Sequence, residues 1–245
     1  MKKILLGVLL AGATSLQAAE IHVMSSNALK TVLEELAPQF EKTTGHKATI
    51  SFSTAAELKG RIDKGEAFDV AILTAALIDD LGKNSRIVAG TRYDVAKSAV
   101  GVAVRKGAPK PDLSSAEGFK KSLLSAKSVA YVGAGASGAG VRAMFEKLGI
   151  ANEMKSKTKL LSGVSAADAV AKGEAELGFT QISEILPVAG AELAGPLPAG
   201  LEVTTVFTAA GAASARHPEA GLAFLRFLRS PEAARVIRAK GMEPG

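Results

Sequence analysis

Short apolar segments alternate with amphipathic helical segments along the first eighty residues. Strand-like runs lie at residues 21–24, 48–52 and 69–73. Between them, apolar residues from Leu29 to Phe40 recur at helical spacing, and a second helix is predicted at residues 55–64. A β-α-β-α-β order calls for a parallel sheet with helices on both faces, so the chain is predicted to be an α/β protein.

The rest of the chain continues this alternation with less regular spacing. Further strands are predicted at residues 98–104, 128–132, 176–180 and 203–209. Further helices are predicted at residues 116–126, 140–148, 166–172, 217–229 and 231–240. The final helix has the clearest start signal, because Ser230 is followed by Pro231 and Glu232.

The first nineteen residues have the pattern of a secretory signal peptide. Lys2 and Lys3 precede an apolar stretch of about ten residues, and small residues follow at Ala18 and Ala19. We therefore expect residues 1–19 to be removed and the mature chain to be periplasmic. The sequence contains no cysteine, so it offers no thiol for a lipid anchor or a disulfide.

The composition argues against several functional classes. Removal of Lys2 and Lys3 lowers the formal net charge from +6 to +4, and charges of both signs are interspersed. Aromatic residues make up only 4% of the chain, so no nucleic-acid-binding surface is predicted. The three histidines are scattered, and no P-loop or Gly-x-Ser-x-Gly motif occurs, so we expect neither a metal nor a cofactor. A chain of this length buries a core without a partner, and a monomer is expected.

Four predicted strand-to-helix junctions are rich in small polar residues. They contain Ser25, Ser26 and Asn27; Ser53 and Thr54; Ser137 and Gly138; and Thr180, Gln181 and Ser183. In open α/β sheets, ligands bind beyond the carboxyl ends of the strands, where N–H groups at helix starts favour an anion. The same residue types are also ordinary helix N-caps, so both interpretations stay open for each junction.

Residues 133–138, Gly-Ala-Gly-Ala-Ser-Gly, match the dinucleotide-binding pattern G-x-G-x-x-G. Such a site also needs a second strand that ends near an acidic residue about twenty residues later. Glu153 lies at that distance, but it falls in the polar segment 151–159, which shows no strand pattern. We therefore interpret the loop as a set of backbone N–H groups facing a bound anion, with glycines that permit close approach.

Three stretches of the sequence resemble a known family. Residues 21–45, 52–69 and 175–181 are similar to type 2 periplasmic solute-binding proteins of the molybdate-binding class, and the likeness covers nearly the whole mature chain. The resemblance implies two α/β lobes, each a mostly parallel sheet flanked by helices, joined by two hinge strands with the ligand between the lobes. It places one lobe at residues 20–97 plus 206–245 and the other at 98–205, with hinge strands at 98–104 and 203–209.

Three positions depart from the molybdate-binding pattern. The resemblance implies hydroxyl-bearing residues at the positions of Ala28, Ala55 and Gln181, and this chain lacks them. Each missing donor leaves a buried oxyanion less stable by about 1–3 kcal/mol. Residues 92–112 and 178–187 resemble more closely a subgroup that includes aconitate isomerase, an exported enzyme that interconverts trans- and cis-aconitate without a cofactor. The resemblance therefore favours a polycarboxylate ligand over molybdate.

The first functional hypothesis is a binding protein that captures a small anion and delivers it to an inner-membrane ABC permease. The expected ligand contacts are Ser25, Ser26, Asn27, Ser53, Thr54, Ser137, Gly138 and Gln181, with Arg61 or Arg142 as the charge partner. Arginine is suited to this role because its guanidinium binds a carboxylate through two parallel hydrogen bonds. Lys59 and Arg92 are further candidates, and the alternative for each of these cations is a solvated surface charge.

The second hypothesis is an aconitate isomerase built on the same cleft. A 1,3-proton shift needs one base that removes a proton from carbon and returns it to another carbon. Glu57 and Glu184 are the candidate bases, because each lies beside a predicted junction. Their alternative role is to stabilise the starts of helices as negative charges.

Overall fold

The computed structural model describes residues 18–245, and all but the last two residues of the predicted signal peptide lie outside this range. The first part of the chain follows the predicted alternation. Its elements are β1 (Glu20–Ser26), α1 (Lys30–Thr44), β2 (Lys47–Ser53), α2 (Ala55–Asp63), β3 (Val70–Thr74) and α3 (Ala75–Lys83). A short 3-10 turn, Asn27–Leu29, connects β1 to α1. Helix α1 ends at Gly45, whose φ of 75° is favourable for glycine.

The middle and the end of the chain form further strands and helices. The middle elements are β4 (Tyr93–Arg105), α4 (Ala116–Ser125), β5 (Val129–Val132), α5 (Gly138–Lys147), α6 (Ala151–Lys155), β6 (Thr158–Leu161), α7 (Ala166–Ala171), β7 (Leu177–Gln181), α8 (Ile182–Ile185) and β8 (Ala191–Pro196). The last elements are β9 (Thr204–Gly211), α9 (Pro218–Leu228), α10 (Pro231–Ala239) and β10 (Glu243–Pro244).

The strands form a mixed sheet in the order β2-β1-β3-β9-β4-β7-β5-β6, with β8 and β10 also paired to β4. Strands β2, β1 and β3 are parallel to one another, and so are β7, β5 and β6. The central strands β9 and β4 run antiparallel to each other and to their outer neighbours. The predicted α/β class is therefore confirmed, with a parallel set of strands on each side of two antiparallel central strands.

Strand β4 connects the two sides of the sheet. Its first part, residues 93–99, pairs with β9, and its second part, residues 100–104, pairs with β7. Such a strand is suited to the hinge role that the sequence predicts for residues 98–104. The residue numbers at which the two lobes divide stay a prediction.

Each half of the sheet, the one with β2, β1 and β3 and the one with β7, β5 and β6, packs against its own hydrophobic clusters. On the first side, α1 and α9 pack together through Phe40 and Phe224, whose ring centroids are 5.0 Å apart in an edge-to-face arrangement. On the second side, Phe179 lies beside Phe145, with ring centroids 6.1 Å apart. Separate buried clusters fix the elements of each half, so residues between the halves are positioned from both directions.

Candidate ligand-binding cleft

A cleft of about 340 Å³ lies at the carboxyl ends of the parallel strands. Five chain segments line it, which are the ends of β1, β2, β5 and β7 and the loop before α7. Their lining residues are Ser26, Asn27, Ala28, Phe52, Ser53, Thr54, Ala55, Glu57, Val132, Gly135, Ala136, Ser137, Gly163, Val164, Ser165, Thr180, Gln181 and Glu184. Both halves of the sheet contribute lining residues, so a molecule bound in the cleft would contact both halves.

The starts of several helices meet at this cleft. Ser26 begins the turn that leads into α1, and Thr54, Ser137 and Ser165 are the N-caps of α2, α5 and α7. The first N–H groups of a helix have no partner within it, and the helix dipole places about half a positive charge there. The described residues that line the cleft include no lysine or arginine. The favourable potential for an anion therefore comes from backbone dipoles.

The N-cap hydroxyl groups fall into two kinds. Thr54 Oγ1 accepts from the Glu57 N–H at 3.3 Å, and Ser165 Oγ accepts from the Asp168 N–H at 3.0 Å, so these two cap their own helices. Ser26 and Ser137 make no such capping bond. Both are nearly buried, with 4% of their surface exposed, and they lie on opposite sides of the cleft. Their hydroxyl groups are the ones best placed to donate to a ligand.

Two carboxyl groups face the cleft. Glu57 is exposed, and its Oε2 accepts a hydrogen bond from Ser53 Oγ at 2.5 Å. Glu184 is half-buried, and its Oε2 accepts from Thr180 Oγ1 at 2.5 Å and from the Gln181 N–H at 3.4 Å. Burial raises the pKa of Glu184 above the usual value, although both hydrogen bonds act in the opposite direction. Glu184 therefore keeps its proton to a higher pH than an exposed glutamate does.

Gln181 is held at the end of β7 by a buried hydrogen bond. Its Nε2 donates to Oγ1 of Thr205, the second residue of β9, at 2.8 Å. Its Oε1 is buried and has no hydrogen-bond partner among the described residues. A buried amide oxygen without a donor is costly, so this side chain can gain a partner when a ligand with a donor or a bridging water enters.

A large part of the cleft wall is apolar. Phe52, Val132 and Val164 line it together with the methyl groups of Ala28, Ala55 and Ala136. Ala28 and Ala55 are two of the three positions at which the molybdate-binding resemblance implies hydroxyl groups, and Gln181 is the third. All three lie on the cleft lining, so the departures seen in the sequence fall at the site itself.

The structure brings together most of the residues predicted to contact a ligand. On the cleft lining lie Ser26, Asn27, Ser53, Thr54, Ser137 and Gln181, with Glu57 and Glu184 beside them. Ser25 lies behind this layer, fully buried, and its Oγ donates to the Ser26 carbonyl at 3.3 Å. Gly138 is also buried behind the lining, and its N–H donates to the Gly135 carbonyl at 3.1 Å.

The predicted charge partners lie away from the lining. Arg61 is paired with Glu66 at 2.8 Å, and Lys59 contacts both Asp63 and Asp80 at 2.6 Å. Arg92 is paired with Asp79 at 2.8 Å and with Asp94 at 3.0 Å. Arg142 donates from Nη1 to the Gly133 carbonyl at 3.2 Å and lines a separate outer pocket beside Tyr131. These contacts hold the four side chains outside the cleft.

Some lining residues were not singled out in the sequence. Ser165 carries a detectable signal, because the Ser-x-x-Asp pattern that ends at Asp168 is typical of a helix start. Gly163 and Val164 carry no comparable signal, and they reach the cleft because β6 delivers them to its edge. Phe52 is the last aromatic residue of β2, and only the pairing of that strand shows which way it faces.

The segment that follows the glycine loop contains a strand that its sequence pattern does not predict. The segment 151–159 was predicted to contain no strand, but β6 (Thr158–Leu161) begins inside it and runs parallel to β5. The strand is short and partly exposed at the sheet edge, so it lacks the apolar run of a central strand. The loop thus lies in a β-α-β unit, but Ser162, Gly163 and Val164 follow β6, and no acidic residue stands where a ribose contact requires one.

Two further features of residues 18–245, the part of the chain that the structure describes, concern metal ions and membranes. No cluster of three or more histidine and acidic side chains suited to a metal ion occurs in that part of the chain. None of its helices combines the length and the apolar character needed to cross a membrane.

Comparisons with known proteins identify the family of the chain. The family profile described as bacterial extracellular solute-binding protein matches residues 21–243. An aconitate isomerase from a Pseudomonas species is 33% identical over 248 residues, covering 98% of this chain and 95% of that protein. Molybdate-binding protein ModA of Azotobacter vinelandii is 31% identical over 241 residues, covering 94% of this chain and 92% of that protein.

A solved structure shares the architecture. The periplasmic molybdate-binding protein of Azotobacter vinelandii superposes with a TM-score of 0.78 at 23% identity, covering 92% of this chain and 99% of that chain. The two-lobed periplasmic-binding fold expected from the sequence is therefore confirmed.

Proposed function

Because the chain belongs to the family of bacterial extracellular solute-binding proteins, we propose that its cleft captures a small organic polycarboxylate. In this proposal the mature protein works in the periplasm and passes the ligand to an ABC permease of the inner membrane. The observation that carries it is the meeting of several helix starts, with uncommitted hydroxyl groups, on a cleft whose wall is partly apolar.

The helix dipoles at the cleft favour a ligand with negative charge. The positive ends of α2, α5 and α7, together with the turn leading into α1, lie on the lining, and each favours negative charge. Glu57 opposes this preference, but it is exposed and solvated, and burial raises the pKa of Glu184, which disfavours its charged form. The balance supports an anion.

The apolar part of the cleft wall favours a ligand with a carbon skeleton. A tetrahedral metal oxyanion presents only oxygen atoms, so Phe52, Val132 and the methyl groups of Ala28 and Ala55 would contact it without hydrogen bonding. Each absent donor costs about 1–3 kcal/mol in a desolvated site. A polycarboxylate has a carbon skeleton that packs against these groups, while its oxygens reach the helix starts. The volume of about 340 Å³ also lies at the lower end of the range for small-molecule sites.

Binding is tested by titration calorimetry of residues 20–245 with trans-aconitate, cis-aconitate, citrate, molybdate and sulfate. We expect carboxylates to bind and the Ser26→Ala and Ser137→Ala variants to bind them at least about tenfold more weakly, since each removes a hydrogen bond to a charged group. Ser114→Ala serves as the control, because Ser114 is exposed and donates to Asp112 far from the cleft. Binding of molybdate without carboxylates would refute the polycarboxylate assignment.

Isomerisation of bound aconitate is the second candidate function, and a specific observation favours it. Glu184 lies on the cleft lining, and burial raises its pKa, so its carboxyl group is a stronger base than an exposed glutamate and can exchange a proton with a bound ligand. In the step, the carboxylate form of one glutamate removes a proton from a carbon beside the double bond. The double bond shifts, and the same proton is returned to the other end of the allylic unit, so no other reactant is consumed.

The helix starts would stabilise the negative charge that develops on the substrate carboxylate during this shift. The similarity to a Pseudomonas aconitate isomerase supports the same candidate. The test follows the absorbance of trans-aconitate with wild-type protein, Glu184→Gln and Glu57→Gln. Conversion that is lost in Glu184→Gln while its binding persists would establish the isomerase role. No conversion by wild-type protein at saturating ligand would leave capture as the function.

A further inference from the structure

A second cavity adjoins the cleft. Its volume is about 710 Å³, and it shares Asn27, Gly163, Ser165 and Glu184 with the cleft. On its far side it is lined by Lys30, Glu34 and Asp168, among others. We call this space the side compartment. Because the two spaces share four lining residues, a molecule in the cleft can extend into the side compartment past Asn27 and Glu184.

We propose that the side compartment is part of the ligand site and that Lys30 binds a second carboxylate of the ligand there. This inference rests on the proposed function, since it concerns how the same polycarboxylate is bound. It makes Lys30 a residue that determines specificity, by separating ligands with several carboxylates from ligands with one.

The charged groups around the side compartment single out Lys30. Asp168 is a carboxylate in the first turn of α7, where the helix dipole offsets part of its charge and its Oδ2 accepts from Ser165 Oγ at 2.6 Å. Glu184 is shared with the cleft and faces Thr180. Glu34 lies one helical turn after Lys30, and the closest distance between their charged atoms is 3.9 Å. Among the described lining residues of both spaces, Lys30 is the one that bears a positive charge.

The contact between Lys30 and Glu34 is weak enough for Lys30 to leave Glu34 and bind a ligand carboxylate instead. Both side chains are more than half exposed, and such surface pairs contribute at most about 1 kcal/mol. Lys30 is also the first residue of α1, where the helix dipole disfavours a positive charge. Its position is therefore poor for helix stability, but it is suited to meet an anion that is already attracted by the same helix start.

The experiment measures dissociation constants for trans-aconitate, which has three carboxylates, and for crotonate, which has one. The variants are Lys30→Gln, Lys30→Arg and Glu34→Gln. Lys42→Gln is the matched control, because Lys42 is exposed in the last turn of the same helix and lines neither space. Melting temperatures of all four variants verify that each is folded.

We expect Lys30→Gln to raise the dissociation constant of trans-aconitate about fivefold to tenfold. The dissociation constant of crotonate should stay within twofold of the wild-type value. Lys30→Arg should retain most of the affinity, and Glu34→Gln should increase it, because it frees Lys30 and removes a repelling charge. These differences should shrink at high salt, since Lys30 is exposed.

Two outcomes would overturn the inference in different ways. If wild-type protein binds trans-aconitate and Lys30→Gln binds it equally well, the role of Lys30 is wrong while the proposed function stands. If wild-type protein binds no carboxylate at all, both are wrong.

Discussion

Ser183 Oγ donates a hydrogen bond of 2.8 Å to the carbonyl oxygen of Ala28, which lies 155 residues earlier in the chain. Both residues are 3% exposed. Ala28 lines the cleft and Ser183 lines the side compartment. The bond joins α8 to the turn before α1, so it holds together the two predicted lobes at the wall of the ligand site.

Loss of this bond should destabilise the protein. Ser183→Ala leaves a buried carbonyl without its donor, which costs about 1 kcal/mol and lowers Tm by roughly 2–4 °C for a protein of this size. Calorimetry measures the change. Ser156→Ala is the control, because Ser156 Oγ makes a weak exposed bond of 3.3 Å to the Glu153 carbonyl, and its removal should have little effect. Equal melting temperatures for all three proteins would contradict the role given to Ser183.

Glu184 should make stability depend on pH. Its pKa is raised by burial in the folded protein, so its contribution is fully present below the ordinary glutamate pKa of about 4.3 and is lost as pH rises through the raised value. Glu184→Gln remains neutral and should not show this loss. Urea unfolding between pH 4 and pH 8 should therefore show the variant gaining stability relative to wild type as pH rises. A difference that is constant with pH would show that the Glu184 pKa is not raised.

Two glycine-to-alanine substitutions should change the free energy of unfolding in opposite directions. A Cβ at Gly138 would lie 2.5 Å from the Gly133 carbonyl oxygen, so the loop that carries Ser137 must move. We expect a loss of about 1–3 kcal/mol together with weaker ligand binding. A Cβ at Gly60 within α2 meets no atom within 4 Å, so Gly60→Ala should gain about 0.5–1 kcal/mol. Equal effects in chemical unfolding would contradict this packing argument.

Arg61 should have no part in ligand binding. It is held by Glu66 beyond the end of α2 and lies off the cleft lining. Arg61→Ala is therefore expected to keep the trans-aconitate dissociation constant within twofold of wild type, whereas Ser137→Ala raises it about tenfold. Calorimetric titration of both variants separates the cases. A large effect of Arg61→Ala would mean that this side chain reaches the ligand after all.

The fold was largely predictable from local patterns. Buried parallel strands are read as short apolar runs, which is why β3 and β5 were found close to their true bounds. The sequence pattern predicts neither strand β8 (Ala191–Pro196) nor helix α3 (Ala75–Lys83), and it also does not predict the short helices α6 and α8. Strand β8 is half-buried along its length and lacks an apolar run, and α3 follows β3 directly, with no loop residues to mark its start.

The cleft was predictable in its polar residues and not in its charges. Hydroxyl groups that follow strand ends, such as Ser26 and Ser137, meet because each of the two parallel sets of strands has its carboxyl ends at the cleft. The direction of a long cation on the following helix depends on tertiary contacts, and Arg61 turns toward Glu66. Lys30 was overlooked because only long-range packing, including the bond between Ser183 and Ala28, forms the side compartment beside it.

A crystal structure of residues 20–245 grown with saturating trans-aconitate would show whether the cleft binds a polycarboxylate. We expect the ligand in the cleft, with carboxylate oxygens within hydrogen-bond distance of Ser26 and Ser137 and its carbon chain against Phe52 and Val132. Ligand density confined to the outer pocket beside Tyr131 and Arg142, or a cleft that holds only water, would contradict the account.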